Sequence, residues 1–493
     1  MRRVRALLGL ALIALVGGCV VGPDYVRPMA VAPEAYKEGD KWAIARPQDD
    51  AFRGPWWERF GDPALNALET RVSTANQNLM VAEATYRQAR ALVREARSAY
   101  FPTVTIGAGY TRVRQSDTLG SLAGTAGARP GSGTSNFFQL PIDIAWEPDF
   151  WGKVRRSVEA GQASAQASAG DVETARLSLQ GELAGDYFQL RTLDAQKQLL
   201  DATVAAYEQS LSLTRTRRAA GVASQVDVAQ AEAQLKSAQA QALDVGVQRA
   251  QLEHAIALLV GQPPAAFALP ASPLATAPPR IPVGVPSQLL QRRPDVAAAE
   301  RRVASANAQI GVAIAAFYPT ITLSASTGFE SSGIATWLTW PSRFWSVGPA
   351  ISQTVFDGGL RRAQTDAVRA AYDASVATYR QTVLGAFQGV EDNLAALRIL
   401  ESEAGVQDEA VAAARQSVTL TTAQYRAGTV SYLNVITTQT IALADEIAAV
   451  QILGRRMTAA VLLVEALGGG WSDTELPSAS AVTARQPASA RTP

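Results

Sequence analysis

Cysteine and histidine are almost absent from this chain, each occurring once in 493 residues. A single cysteine excludes an intramolecular disulfide and a cysteine-built metal cage. The lone histidine, His254 in Leu252-Glu253-His254-Ala255-Ile256, has no acidic or cysteine partner at metal-ligand spacing and is read as a surface or groove residue. The glycine-rich stretches lack a phosphate-loop lysine. No enzyme, cofactor or metal site is therefore expected. Charge of one sign is missing too: 45 Lys and Arg against 44 Asp and Glu leave a net charge of +1 and no field for nucleic acid. Past the N-terminus no run reaches the roughly 18 unbroken apolar residues of a spanning helix. If the chain crosses a membrane, strands must do it.

The N-terminus begins Met1-Arg2-Arg3-Val4-Arg5, continues with an apolar run over residues 6–16, and reaches Gly17-Gly18-Cys19. A basic flank, a short apolar core and small residues form a secretory signal peptide. A cysteine directly after those small residues resembles a bacterial lipobox, which implies acylation of Cys19 as the mature N-terminus. Val20 follows it rather than an inner-membrane retention aspartate, which favours the outer membrane.

Proline is missing from residues 149–262 and again from 350–476, while residues 263–287 hold eight of the 25. The pattern is a duplication. Tyr100-Phe101-Pro102-Thr103-Val104-Thr105 returns as Phe317-Tyr318-Pro319-Thr320-Ile321-Thr322 at an offset of 217, and Glu83 returns as Glu300 at the same offset. Ala220-Gly221 returns as Ala427-Gly428. The supersecondary unit must be read from one copy and doubled.

Each copy places short strands before a long Pro-free stretch. Val104, Ile106, Ala108 and Tyr110 alternate with Thr103, Thr105, Gly107, Gly109 and Thr111; Ile321, Leu323 and Ala325 alternate with Thr320, Thr322, Ser324 and Ser326. An apolar face and a hydroxyl face suit either a half-buried soluble sheet or a porin-like wall. The export signal and the aromatic pairs at the strand starts favour the wall, with Trp337, Trp340, Phe344 and Trp345 as the opposite girdle. Expected strands cover residues 103–111, 136–146, from 320, and 344–355, with Pro141 and Pro349 interrupting the ladder. Four strands cannot close a barrel, so the chain must oligomerise: a dimer gives eight, a trimer twelve. Val376, Tyr379, Val383, Phe387, Val390, Leu394 and Leu397 advance 21 residues in six steps, the heptad average of 3.5. Leu183, Tyr187, Leu190, Leu200, Val204, Tyr207 and Leu211 form a similar stripe. Each stretch turns back at a glycine, Gly221 or Gly428, and residues 153–219 at 1.5 Å each span roughly 100 Å.

Several motifs then stand in one order. They are Cys19 with Gly22-Pro23-Asp24-Tyr25, Trp56-Trp57 with Phe60 and Asp62-Pro63, the two aromatic-Pro strand starts, Phe150-Trp151-Gly152, Phe356-Asp357-Gly358-Gly359 and Tyr425-Arg426-Ala427-Gly428. In that order and duplicated, they resemble the outer membrane efflux protein family, the TolC-like channels, and its lipoprotein branch, the NodT-type outer membrane factors. The resemblance covers nearly the whole mature chain. It implies a mixed α and β membrane protein, a homotrimeric 12-stranded β-barrel (four strands per chain) continuous with a coiled-coil α-helical barrel. A periplasmic adaptor (membrane fusion) protein and an inner-membrane RND-type pump would join its lower end. It also places a gate at the hairpin tips. Tyr425 matches a tyrosine that bonds the neighbouring hairpin, Asp227 an aspartate that receives such a bond, and Leu433 a leucine that narrows the bore. Asn434 and Thr437 stand where many members carry acidic rings, and Thr440 where some carry arginine, so an acidic constriction is not expected. Asp227 reads equally well as the start of a helix.

The resulting segmentation is a signal peptide at 1–18, a lipidated extended segment at 19–61, a first repeat at 62–262, a Pro-rich linker at 263–287, a second repeat at 288–470 and a disordered tail at 471–493. The expected function is small-molecule efflux through the outer membrane. The alternatives are a duct for secreted polypeptides and a non-conducting coiled-coil lipoprotein.

Overall fold

The structure is a computed structural model that describes residues 20–30, 33–38, 54–114, 134–274, 276–281 and 286–484, without the side chains of 286–288. The expected signal peptide, Cys19 and the loop at 115–133 lie outside the described residues.

Two short helices start the first repeat: α1 (Pro63–Ala75) and α2 (Gln77–Ser98). Asp62 caps α1, accepting from the Ala64 and Leu65 N–H groups, with Pro63 in the first turn where its missing donor costs nothing. Asn76 caps α2 and also donates from Nδ2 to the Leu259 carbonyl at 2.8 Å. Strands β1 (Thr103–Ile106), β2 (Gly109–Arg114) and β3 (Thr134–Trp146) precede helices α3 (Lys153–Ala219) and α4 (Gln225–Leu259). The second repeat runs α5 (Pro286–Arg292), α6 (Pro294–Ala315), β4 (Thr320–Ser331), β5 (Arg343–Ser352), α7 (Leu360–Ala427) and α8 (Tyr432–Ala466), and a five-residue α9 (Ala479–Thr483) follows.

The two long helices have 67 and 68 residues, but their return legs have only 35 each. The shorter helices fill the rest of the length. Near the sheet α3 packs on α2 and α6; farther along it packs on α4 and α8. Gly161 faces Val93 of α2, Gly170 faces Ala298 of α6, and Gly454 of α8 faces Thr192. Small residues let the axes approach at each of these crossings. The arc therefore reads α2-α3-α6-α7 above and α4-α3-α8-α7 below. Both heptad stripes lie inside it, with Leu183, Leu190, Leu200, Val390 and Leu394 fully inaccessible. Helix α8 alone among the described residues is long and apolar enough to cross a membrane, at a mean hydropathy of 1.6, and 44% of that window is buried here.

The sheet order is β1/β2-β3-β4-β5, all antiparallel, so β3 and β4 weld the repeats together. Its register segregates two faces. Val104, Ile144, Ala325 and Val347 lie in one row across the four staves, while Thr105, Asp143, Ser326 and Ser346 lie in another on the opposite face. The apolar face is uncovered: Val104, Ile106, Val347 and Ile351 all exceed 60% exposure.

Three expectations need correction. Pro141 does not interrupt its own strand; the interruption falls on the partner, between β1 and β2, in unchanged register. Gly107 donates to the Pro141 carbonyl at 3.0 Å, but proline has no N–H to return, so the ladder loses one bond there. Pro349 sits within β5 opposite Leu323, and the register against β4 runs through it unbroken. Finally, residues 471–484 are ordered rather than disordered. Arg90 donates to the carbonyls of Val482 and Ala484, Gln166 donates to that of Pro477, and Val482 is buried against Val93 and Ala165. Residues 485–493 lie outside the described residues.

Candidate functional site at the hairpin tips

Both long helices end on a left-handed glycine. Gly221 and Gly428 adopt φ of 75° and 80°. The N–H of Gly428 donates to Tyr425 O and that of Thr429 to Gln424 O, each at 3.0 Å, satisfying the last carbonyls of α7. At the other tip Val222 N–H reaches Arg217 O at 2.9 Å.

A small core joins the two turns: Tyr207, Leu211, Val228, Leu235, Tyr425, Tyr432 and Val435. The Tyr425 and Tyr432 rings lie 5.3 Å apart. Burial, with the fields of Tyr425 and Tyr207, pushes the Tyr432 phenol up to about 12. Arg217 locks this core from the side. Its guanidinium stacks 4.8 Å over the Tyr425 ring and donates from Nη1 to the Arg426 carbonyl at 2.9 Å, at the negative end of the α7 dipole. Neither Arg217 nor Tyr432 was singled out from the sequence. The signal for Arg217 was a basic residue in the last turn of a predicted helix, and that for Tyr432 was an aromatic opening a helix.

The expected gate residues take different places. Asp227 sits in a reciprocal cap with Ser224: its Oδ2 accepts from the Ser224 N–H at 2.8 Å, and its own N–H donates to Ser224 Oγ at 3.1 Å. Tyr425 is buried, and its hydroxyl has no hydrogen-bond partner among the described residues. One chain therefore does not join Tyr425 to Asp227. Leu433 is 54% exposed and stands on an uncovered strip of α8 with Thr437 and Thr440, with Asn434 beside it. Thr440 Oγ1 accepts from Gln234 Nε2 at 3.2 Å, linking α8 to α4. Basic side chains dominate the tip surface: Arg215, Arg218 and Arg426 are exposed, and Arg215 lies 3.8 Å from Glu232.

Higher up, a recess of about 570 Å³ is lined by all four helices of the lower arc, including Gln189, Gln196, Gln248, Asn393, Gln451 and Arg455. Arg455 is the only charged residue on that lining.

A sequence model of the outer membrane efflux protein family matches residues 71–262 and 285–469. The solvent efflux pump outer membrane protein SrpC of Pseudomonas putida is 33% identical over 468 residues, 93% of this chain and 97% of its own. The pyoverdine export outer membrane protein OpmQ of Pseudomonas aeruginosa is 30% identical over 458 residues, 93% of this chain and 95% of its own. Among solved structures the outer-membrane channel OprN is similar at a TM-score of 0.83 and 31% identity, covering 92% of this chain and 100% of that one.

Proposed function

This chain belongs to the outer membrane efflux protein family, and from that premise we propose how its parts divide the work of export. It is an outer-membrane efflux channel with a long periplasmic helical extension. Three copies would close the wall. The carrying observation is the sheet itself, with a hydroxyl row on one face, an apolar row on the other, and unpaired edges at β1/β2 and β5. Each open edge would expose backbone donors and acceptors to lipid at several kcal/mol apiece. Pairing β5 of one copy with β1/β2 of the next removes both edges and gives twelve staves, with water inside and lipid outside.

The helical arc below would close in the same step, because α7 at one edge meets α2 and α4 of the next copy. The tips of the hairpins would meet a periplasmic adaptor and an RND-type inner-membrane pump. The bore would narrow at Leu433, with Asn434 and Thr437 beside it. The partnerless Tyr425 hydroxyl would take its acceptor, Asp227, from a neighbouring hairpin. Acylation of Cys19 fits the position of its neighbour: Val20 packs on Gly152, and the Val21 N–H donates to Trp151 O at 3.2 Å, at the junction of sheet and helix. An acyl chain on residue 19 would emerge at the membrane surface. SrpC is named for solvent efflux and OpmQ for pyoverdine export. Small organic molecules are the cargo we assign.

The mass of the detergent-extracted protein and its conductance across a planar bilayer test this reading. A trimer that conducts is expected. A monodisperse monomer retaining its β signal, or a trimer without conductance, contradicts it.

A further inference from the structure

Just below the sheet, the arc and the C-terminal segment enclose a basic recess that the export reading does not use. On α2, Arg87, Arg90, Arg94 and Arg97 follow one another at spacings of 3, 4 and 3, so they share one face. Arg90 holds the C-terminal segment through its carbonyls. Arg97, one turn before the first strand, lines a recess of about 510 Å³ with Tyr100, Arg155, Gln162, Ser480 and Thr483. Burial raises the Tyr100 phenol, Asp149 adds to that, and Arg155 and Arg97 oppose it.

The acids nearby are committed elsewhere. Glu159, also on the recess, pairs with Arg156 at 2.8 Å. Asp149 accepts from the Val154 and Arg155 N–H groups at 3.0 and 2.8 Å, capping α3. The guanidinium groups of Arg97 and Arg155 are exposed and have no acidic partner among the described residues. The recess also lies at a fixed depth. Trp146 Nε1 donates to the Tyr100 carbonyl at 3.0 Å, and Thr103, the first residue of the wall, pairs with Ala145. Phe101, between them, is 69% exposed. An aromatic at that level marks the membrane interface. Lipid phosphates of the periplasmic leaflet stand at the same level.

We propose that Arg97 and Arg155, with the hydroxyls of Tyr100 and Ser480, bind the phosphodiester head group of a phospholipid in the periplasmic leaflet, and that the C-terminal segment completes this site. Planar guanidinium groups suit phosphate oxygens, and the Tyr100 and Ser480 hydroxyls add neutral donors, whereas that of Thr483 is already spent on the Ala479 carbonyl. The site repeats once per copy and fixes the depth of the wall in the leaflet.

Native mass spectrometry of the assembled channel tests this directly. The probes are phosphatidylglycerol, phosphatidylethanolamine and a diacylglycerol with the same acyl chains and no phosphate. The intact channel is expected to retain either phospholipid roughly thirtyfold better than diacylglycerol, as two arginines near a lipid surface should give. Arg97→Gln with Arg155→Gln should erase that preference at unchanged assembly mass. The corresponding Lys pair should keep most of it, and Lys236→Gln, far down α4, should keep all of it. Millimolar inorganic phosphate should displace no lipid. Equal retention of diacylglycerol by the parent, or an undiminished preference in the Gln pair, would overturn the site. Displacement by inorganic phosphate would overturn its assignment to lipid.

Discussion

Where the return legs meet the short helices, Tyr187, Phe188, Leu394 and Met457 are all at most 2% exposed and belong to one core that also takes in Trp56, Phe60 and the N-terminal Tyr36. At the hairpin tips the same helices share only a thin core, one stacked arginine and a phenol without a partner. One region is over-determined by packing and the other is held by a few polar contacts. Motion is concentrated where few apolar contacts must be broken. The difference assigns rigidity to the middle of the molecule and adjustability to its lower end.

The same substitution made in both regions should sharpen that contrast most. Leu394→Ala, at 0% exposure, should destabilise the channel by about 3 kcal/mol, seen as a lower unfolding midpoint. Leu433→Ala, at 54% exposure, should change folding stability by less than about 0.5 kcal/mol and yet raise conductance. Equal losses of stability at the two sites would erase the contrast.

A second contrast is electrostatic. Glu69 of α1 is fully buried, both carboxylate oxygens lack partners among the described residues, and burial alone pushes its pKa from the ordinary 4.5 up to about 9. Folded, it keeps its proton across that interval; unfolded, it releases it. The unfolded chain therefore binds fewer protons, and stability falls as pH rises from about 5 to about 9. Glu69→Gln should flatten that decline in thermal melts across pH, and an unchanged slope would remove Glu69 from the account.

Smaller effects belong to the tip. Arg217→Ala removes a stacked cation and a cap on α7, together about 1–2 kcal/mol. That should appear as noisier channel openings and faster hydrogen exchange confined to residues near 217 and 428. The smallest is an expected near-absence: trivalent cations should block only weakly, because Asn434 and Thr437 bring no carboxylates and the exposed tip arginines repel cations. Tight block would relocate the constriction to an acidic level.

Much of this architecture was legible in the chain because period and punctuation survive in it. The alternation of Val104, Ile106 and Tyr110 with threonines mapped directly onto two faces, and the heptads from Val376 to Leu397 onto the core. The shorter return legs end on punctuation as well, Gly261 and Gly468 at φ of 69° and 93° just past α4 and α8. What was not legible is that the short helices fill the remaining length, because the seating of Asn76 on the Leu259 carbonyl is set by packing and one side-chain hydrogen bond. The ordered segment at 471–484 was missed because it docks through its own carbonyls onto Arg90, which leaves no signature in its composition. At the tip, Asp227 shows its capping role, and the Tyr425 hydroxyl has no partner among the described residues.

Single-channel conductance of Asp227→Ala combined with Tyr425→Phe, recorded beside Ser224→Ala, bears most directly on the tips as the gate. A shielded hydrogen bond to a carboxylate contributes roughly 1.5–3 kcal/mol, and threefold symmetry repeats it. The double variant should conduct well above the parent. Ser224→Ala, which weakens the helix cap but keeps the carboxylate, should conduct like the parent. If the double variant conducts no better than the parent, or Ser224→Ala opens the channel equally, then Asp227 only caps α4 and the gate lies elsewhere.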